Sequence, residues 1–533
     1  MLGSLSLDSM VEHLTDENAA REAERRLREL IDGHGEWLCV GGESGAAVSL
    51  RKSECDFQVS HGRLIFSYWG DRGALAWRVT AWEWTGEKLL LTASRRMGME
   101  RARLELIPRA AHAALAAHVG DTRRRASFRL AQLACAVLVG AKVERAGLSA
   151  GARRGEPGRY ARILLRHLGQ ERVVVTCDLA EAEGRGVDAF LSSSLLWFFR
   201  AREQRTRPPY VTKLWLVAGR GSVEDLAQRL ALLREDLRRV IKLYSLDDDW
   251  QELAQVRVPA LEELLTEPPR RFRRPVPDAL SEAAARITAH APGAIDIVHS
   301  RHAETLRFHG LAFARVRRVM NTERVWFGVE GARRRLLGED TREEWTKLLR
   351  DLTEHRRADA SDRRHALYRA APEAWLESIL RRDITRLDPG LRLAPLFAQF
   401  RPSQQAGAHA RPIDLLALRR DGRLVVIELK VSADREHVLQ AADYWLRVEA
   451  HRRAGHLQRA RLFGDAKISD DPPLVYLVAP ALRFHPALNK LAHSITPLIE
   501  MYRLDLNEDW RARVRVTRRV TLTNNWQLLP IIG

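Results

Sequence analysis

The stretch PIDLLALRRDGRLVVIELKV, residues 412–431, places Asp414 inside one apolar run and Glu428 with Lys430 inside the next. Their neighbours Ile413, Leu415, Leu416, Val425, Val426, Ile427 and Leu429 are those of a sheet core, where a charge is costly unless it is paired or holds a metal. The turn between the two runs decides which faces the charges take. A two-residue Asp421-Gly422 turn would pair position 414 with 429 and send Asp414 and Glu428 to opposite faces, since facing residues share a face and successive ones alternate. A three-residue loop, Arg420-Asp421-Gly422 with the glycine left-handed, pairs 414 with 428 and leaves Lys430 on the same side. Only an odd-length loop gathers the three charges, and that register is the one expected.

Two carboxylates and a lysine on one sheet face, with a glutamate from the preceding helix, make a hard-oxygen site suited to Mg²⁺ or Mn²⁺ rather than zinc or copper. Phosphodiester hydrolysis needs what such a site offers: a Lewis acid, an activated water and a cation where negative charge builds up. The competing reading is a structural ion pair of Lys430 with Asp414 or Glu428. Upstream, PEAWLESILRRDITRL (372–387) opens as a helix with Pro372 in its first turn and an apolar stripe of Leu376, Ile379, Leu380, Ile384 and Leu387. Glu373 and Glu377 share one flank of it. Downstream, the helix at 434–455 carries His437, Gln440, Tyr444, Arg447 and His451 on one stripe, opposite Val438, Leu439, Ala442, Trp445 and Leu446. Such donors could hold a phosphate backbone; a solvated face is the rival.

Asp414, then Glu428-Leu429-Lys430, then Gln440 and Tyr444 four residues apart, resembles the PD-(D/E)xK nuclease superfamily, in its RecB-like branch with the Q-x-x-x-Y helix. Within it, residues 372–506 resemble the carboxy-terminal domain of the NucS/EndoMS endonuclease family, down to a later strand ending Leu477-Val478-Ala479-Pro480. The resemblance implies a restriction-endonuclease-like αβββαβ domain. It implies Asp414, Glu428 and Glu377 as metal ligands with the Leu429 carbonyl, and Glu373 as the alternative helix ligand. Lys430 would orient or activate the attacking water, with Gln440, Tyr444, Arg447 and His437 positioning the substrate strand. Pro412 stands two residues before Asp414 rather than directly before it. The amino-terminal two thirds do not match the family, so mismatch specificity does not carry over.

Around this segment, 533 residues with 45% hydrophobic composition predict several domains with real cores. The reading divides them into a β-rich domain at 1–110, an α/β domain at 111–265 with the outline of a degenerate nuclease-like fold, a linker and mixed α+β segment at 266–370, and the nuclease-like domain at 371–533. The α/β region carries no carboxylate–x–Lys on its strand 213–218, so any kinship would be to a dead copy. Trp82 and Trp84 share a face of the first sheet and read as core, and LDDDW (246–250) as a solvated loop. EPPRRFRRPVPD (267–278) reads as a basic linker. No repeat stands out.

The amino terminus shows no signal sequence, and the longest uncharged apolar stretch, LAQLACAVLVGA, is short of the ~20 residues of a membrane helix. Four well-separated cysteines suggest free thiols and a cytoplasmic setting. The net charge of +18 suits a polyanion partner, although 78 of the 87 basic residues are Arg, a bias that base composition could impose. Against that background a lysine at 430 stands out. The expected function is a Mg²⁺- or Mn²⁺-dependent endonuclease acting on DNA in repair or defence, with no membrane partner and with a homodimer left open. The alternatives are a non-catalytic nucleic-acid-binding scaffold and an RNA-processing nuclease.

Overall fold

The computed structural model describes residues 11–40, 47–51, 54–70, 73–95, 98–109, 112–151, 157–179, 186–205, 207–266, 280–300, 303–319, 322–329, 335–394, 397–400 and 413–523. Pro412 and the linker at 267–278 lie outside them. The strands form four sheets, and the chain divides into two compact units. One comprises Met1–Glu181, Pro208–Tyr210 and Leu246–Leu253; the other comprises Ala182–Arg207, Val211–Ser245 and Ala254–Gly533.

In the first unit, helix Glu17–Asp32 starts at Asp16, whose carboxylate accepts from the Ala19 N–H at 2.8 Å. Its residues Ala20, Ala23, Leu27 and Ile31 recur at helical spacing and bury against Trp37, Phe57, Phe66 and Trp77 of an eight-stranded antiparallel sheet. Trp82 is buried in that core and Trp84 packs on it, as the alternation predicts. A long helix, His112–Val137, follows, and the strands Ala141–Ala150, Pro157–His167 and Glu171–Asp178 then pair antiparallel in sequence.

In the second unit, five antiparallel strands from Ile295 to Leu336 form a meander, covered by helices Glu282–Ala289 and Arg342–His355. Helix Pro372–Arg382 is anchored to this meander. Gly310 lies at φ +80°, and a Cβ there would sit 1.9 Å from the Ala374 carbonyl, so the turn must be bare to let the helix approach. Fully buried Arg356 donates to the carbonyls of Phe308, His309, Leu367, Ala370 and Ala371, tying the strand end to the helix start.

The last sheet orders its strands as in the sequence: Phe397–Phe400, Ile413–Leu418, Leu424–Leu429, Leu474–Pro480, Met501–Leu506 and Val516–Thr521. The first three pair antiparallel; Leu424–Leu429, Leu474–Pro480 and Met501–Leu506 are parallel neighbours. A parallel step needs a long crossover, which helix His437–Arg453 provides. Every residue of Leu424–Leu429 is buried, as its unbroken apolar run requires in a covered parallel sheet. The order α, β, β, β, α, β expected for this region is present. Among the described residues no helix is long and apolar enough to cross a membrane, and the four cysteines are free thiols.

Candidate active site

The hairpin has the three-residue loop. Arg419 donates to the Arg423 carbonyl at 2.9 Å, Gly422 donates to that of Arg419 at 3.0 Å, and Gly422 takes φ +87°. The pairs Leu415–Ile427, Leu416–Val426, Ala417–Val425 and Leu418–Leu424 follow, so the next positions along the same register are 414 and 428. Asp414 Oδ2 accepts from the Leu429 N–H at 2.8 Å. Lys430 Nζ donates to Glu428 Oε1 at 2.9 Å and lies 3.8 Å from Asp434.

The electrostatics show how closely the carboxylates converge. Burial, and then the charge of Glu428, push Asp414 well above the usual carboxylate range. Burial also raises Glu428, against the pull of Lys430. Lys430 is raised, because the surrounding carboxylates outweigh its own burial, so it remains an ammonium at neutral pH. Glu428 Oε2 and Gln440 Oε1 are buried and meet no hydrogen-bond donor, and the Glu428 carboxyl lies within hydrogen-bonding reach of Asp414. A buried, unpaired carboxylate oxygen beside a second carboxylate is a place where a cation fits. Among the described residues no group of three or more His, Cys, Asp or Glu side chains is spaced to hold a metal.

The helix glutamates divide. Glu377 is buried and pairs with Arg307 at 3.0 Å; Arg307 also pairs with Asp296 at 2.9 Å, and Arg381 donates to Asp296 at 2.6 Å. Its charge is nonetheless felt by Asp414. Glu373 Oε1 lies 3.5 Å from the Val431 N–H, and its charge acts on Glu428 and Lys430. Arg307 and Asp296 were missed in the sequence, where Leu306-Arg307-Phe308 reads as one more strand segment.

The stripe on the crossover helix differs from the expected donor face. His437, Gln440, Tyr444 and His451 are as buried as the core stripe opposite them, because the sheet and neighbouring helices enclose this helix on all sides. His437 stacks on Phe484, and its Nε2–H donates to the Glu428 carbonyl at 3.1 Å. Burial, and then Lys430, lower its pKa to about 3, so it is neutral and braces the strand rather than presenting a charge to phosphate. Gln440 Nε2 donates to Glu436 at 3.2 Å. Burial, and then the charges of Glu428 and Asp414, push the Tyr444 hydroxyl above the usual phenol range. Arg447 is held by Asp443 at 2.7 Å, and Asp443 also pairs with Arg229 at 2.6 Å.

No family model matches the chain, and no curated protein does. Three solved structures are similar over part of it. "Structure of EndoMS in apo form" shares 14% identity over 39% of this chain and 88% of its own, with a TM-score of 0.13. "Structure of EndoMS-dsDNA2 complex" shares 15% over 45% and 98%, with a TM-score of 0.15. "Crystal structure of a repair endonuclease from Pyrococcus abyssi" shares 15% over 40% and 89%, with a TM-score of 0.13. At such scores the superposition carries no weight of its own, and a functional reading has to stand on the geometry of the site.

Proposed function

We propose that residues 372–506 form a Mg²⁺- or Mn²⁺-dependent nuclease centre that hydrolyses phosphodiester bonds in DNA. The observation that carries this reading is the in-register hairpin, which puts Asp414 and Glu428 together with an unpartnered buried oxygen on Glu428 and an ammonium at Lys430. Asp414 and Glu428 would hold the metal, with the Leu429 carbonyl and Glu377 or Glu373 as further ligands. Bound there, the cation supplies Lewis acidity and lowers the pKa of a coordinated water.

Lys430, 2.9 Å from Glu428, would orient the attacking water or stabilise negative charge growing on the phosphate. Gln440 and Tyr444 would position the substrate strand, as the motif resemblance implies. His437 fixes the Glu428 backbone through its hydrogen bond. DNA is preferred as substrate on the motif resemblance and the net charge of +18. Repair or defence is the setting that fits such an activity.

Calorimetric titration with Mn²⁺ tests the site without relying on turnover. Wild type should bind the ion and Asp414→Asn should not. Equal binding by both would remove the metal reading. The scaffold alternative has one observation in its favour, the Arg307–Glu377 pair, which already neutralises a ligand candidate.

A further inference from the structure

The element order around the site occurs twice in this chain. From residue 112 it runs helix His112–Val137, strands Ala141–Ala150, Pro157–His167 and Glu171–Asp178, helix Val187–Gln204, strand Tyr210–Gly219, helix Arg220–Ala231, and strands Ile241–Leu246 and Leu253–Val256. From residue 372 this succession returns, with the crossover helix, the strand ending Val478-Ala479-Pro480, helix Leu488–Ala492 and two last strands; the short α-helices Glu235–Val240 in the first copy and His456–Arg459 in the second lack a counterpart. Short sequence matches fall at equivalent places: LWLVAG (214–219) against VYLVAP (475–480), and LDDDW (246–250) against LNEDW (506–510). The second pair shares its hydrogen bonding. Asp247 Oδ1 accepts from the Gln251 and Glu252 N–H, Asn507 Oδ1 from that of Arg515, and each residue's own N–H donates back across the turn.

The hairpins align by register. His167 pairs with Glu171 across a three-residue loop closed by Gln170 N–H to the His167 carbonyl at 3.0 Å, as Gly422 closes the later loop on Arg419. Counting outward from the loops, Arg162 stands where Asp414 does, Thr176 where Glu428 does, and Asp178 where Lys430 does. Arg162 and Thr176 pair directly, and Asp178 is engaged by Arg159 at 2.8 Å. Neither carboxylate is kept, and the lysine position carries the opposite charge.

In the second unit a segment of each copy touches the other. Leu233 and Ile495 form an isolated antiparallel bridge, flanked by Arg234 N–H to the Ser494 carbonyl and Thr496 N–H to the Leu232 carbonyl, both at 2.9 Å. Each segment follows the helix after the strand of its own copy. These are the two bonds of any antiparallel bridge, and what they record is that like segments of the two copies meet.

We propose that the chain is a tandem duplication folded as its own pseudo-dimer, with one hydrolytic centre, so that it nicks one strand of a duplex per binding event. This rests on the nuclease reading above. In the reaction one water adds across one P–O bond: its oxygen joins phosphorus and its proton goes to the leaving oxygen, with no redox partner. The surface through which two copies would pair is already used within one chain.

The test incubates the full chain with supercoiled plasmid and Mg²⁺ or Mn²⁺ at substoichiometric protein, with sedimentation to fix its oligomeric state. A monomer should yield open circles first, with linear DNA appearing only after a lag as nicks accumulate. Linear product from the earliest times, or a dimer as the cutting species, would overturn the proposal while leaving the nuclease reading intact. No cutting in either metal would overturn both. Thr176→Val, nearly isosteric, should nick within twofold of wild type; a tenfold or greater loss with an unchanged melting temperature would show that the first copy takes part in catalysis.

Discussion

The hairpins at 157–178 and 413–429 share one backbone and differ in chemistry. Both close through a three-residue loop, both continue in unbroken register, and both bury an apolar run, Val173-Val174-Val175 in one and Val425-Val426-Ile427 in the other. At the three positions beyond those runs, one has Arg162, Thr176 and Asp178 and the other has Asp414, Glu428 and Lys430. The scaffold therefore does not require buried carboxylates. Their burial in the later hairpin, which raises both carboxyls, costs stability at neutral pH. Such a cost is retained where function needs it.

The largest break in this comparison should come from the charged positions themselves. Asp414→Asn, Glu428→Gln and Lys430→Ala should each lower cleavage by ~10²–10³ or more, the usual loss for one well-placed electrostatic group. Lys430→Arg should rescue poorly, because the guanidinium is larger and its charge is delocalised. Rates read on a labelled duplex would show this, and wild-type rates in these variants would turn the cluster into a structural ion pair.

Next in size are the helix glutamates, which have no counterpart argued for the first copy. Glu377→Gln should lower cleavage and, by leaving buried Arg307 with one carboxylate fewer, also lower the melting temperature, measured by rate and by thermal scan. Should Glu373→Gln be the inactive variant instead, the helix ligand lies one turn earlier, where Glu373 already faces Val431.

A smaller, reversible effect concerns pH. The folded chain holds a proton on the Asp414–Glu428 pair more tightly than the unfolded chain does, since both carboxyls are raised. Its stabilising contribution is therefore present at low pH and lost as pH rises through the raised values. A metal must displace that proton, so the Mn²⁺-induced rise in melting temperature should grow from mildly acidic to mildly alkaline buffer. Asp414→Asn should raise the metal-free melting temperature and abolish the Mn²⁺ increment. A metal increment that is flat with pH would contradict the coupling.

The smallest effect is on affinity. Lys430→Ala should leave DNA binding nearly unchanged and alter the salt slope by about one unit at most, as for one phosphate contact among many. Fluorescence anisotropy at several salt concentrations would measure it.

The hairpin register was legible because its signal is local. Asp421-Gly422 admits a two- or a three-residue loop, and only the three-residue one gathers the charges of Asp414, Glu428 and Lys430 on one side. What was not legible depends on contacts between distant segments. Arg307 reaches Glu377 across 70 residues, and no pattern in its own strand announces that. The stripe from His437 to His451 has the spacing of a polar face, but packing on every side buries it. The last strand, Val516–Thr521, was not anticipated, because its mostly exposed Thr and Arg residues carry no core alternation. The repeat escaped because the residues that give the later hairpin its character are those replaced in the earlier one. The carboxylate–x–Lys position was sought on 213–218, whereas register places its equivalent at 176–178.

The most direct test of the central claim is cleavage of single-stranded, duplex, mismatched and branched DNA by purified wild type and Asp414→Asn, in Mg²⁺, in Mn²⁺ and in chelator. The account predicts that wild type cuts at least one of these substrates in a divalent metal, that chelator stops it, and that Asp414→Asn is inert while still folded. Failure of wild type to cut anything in either metal, or cutting that survives chelator or the Asp414 substitution, would contradict it.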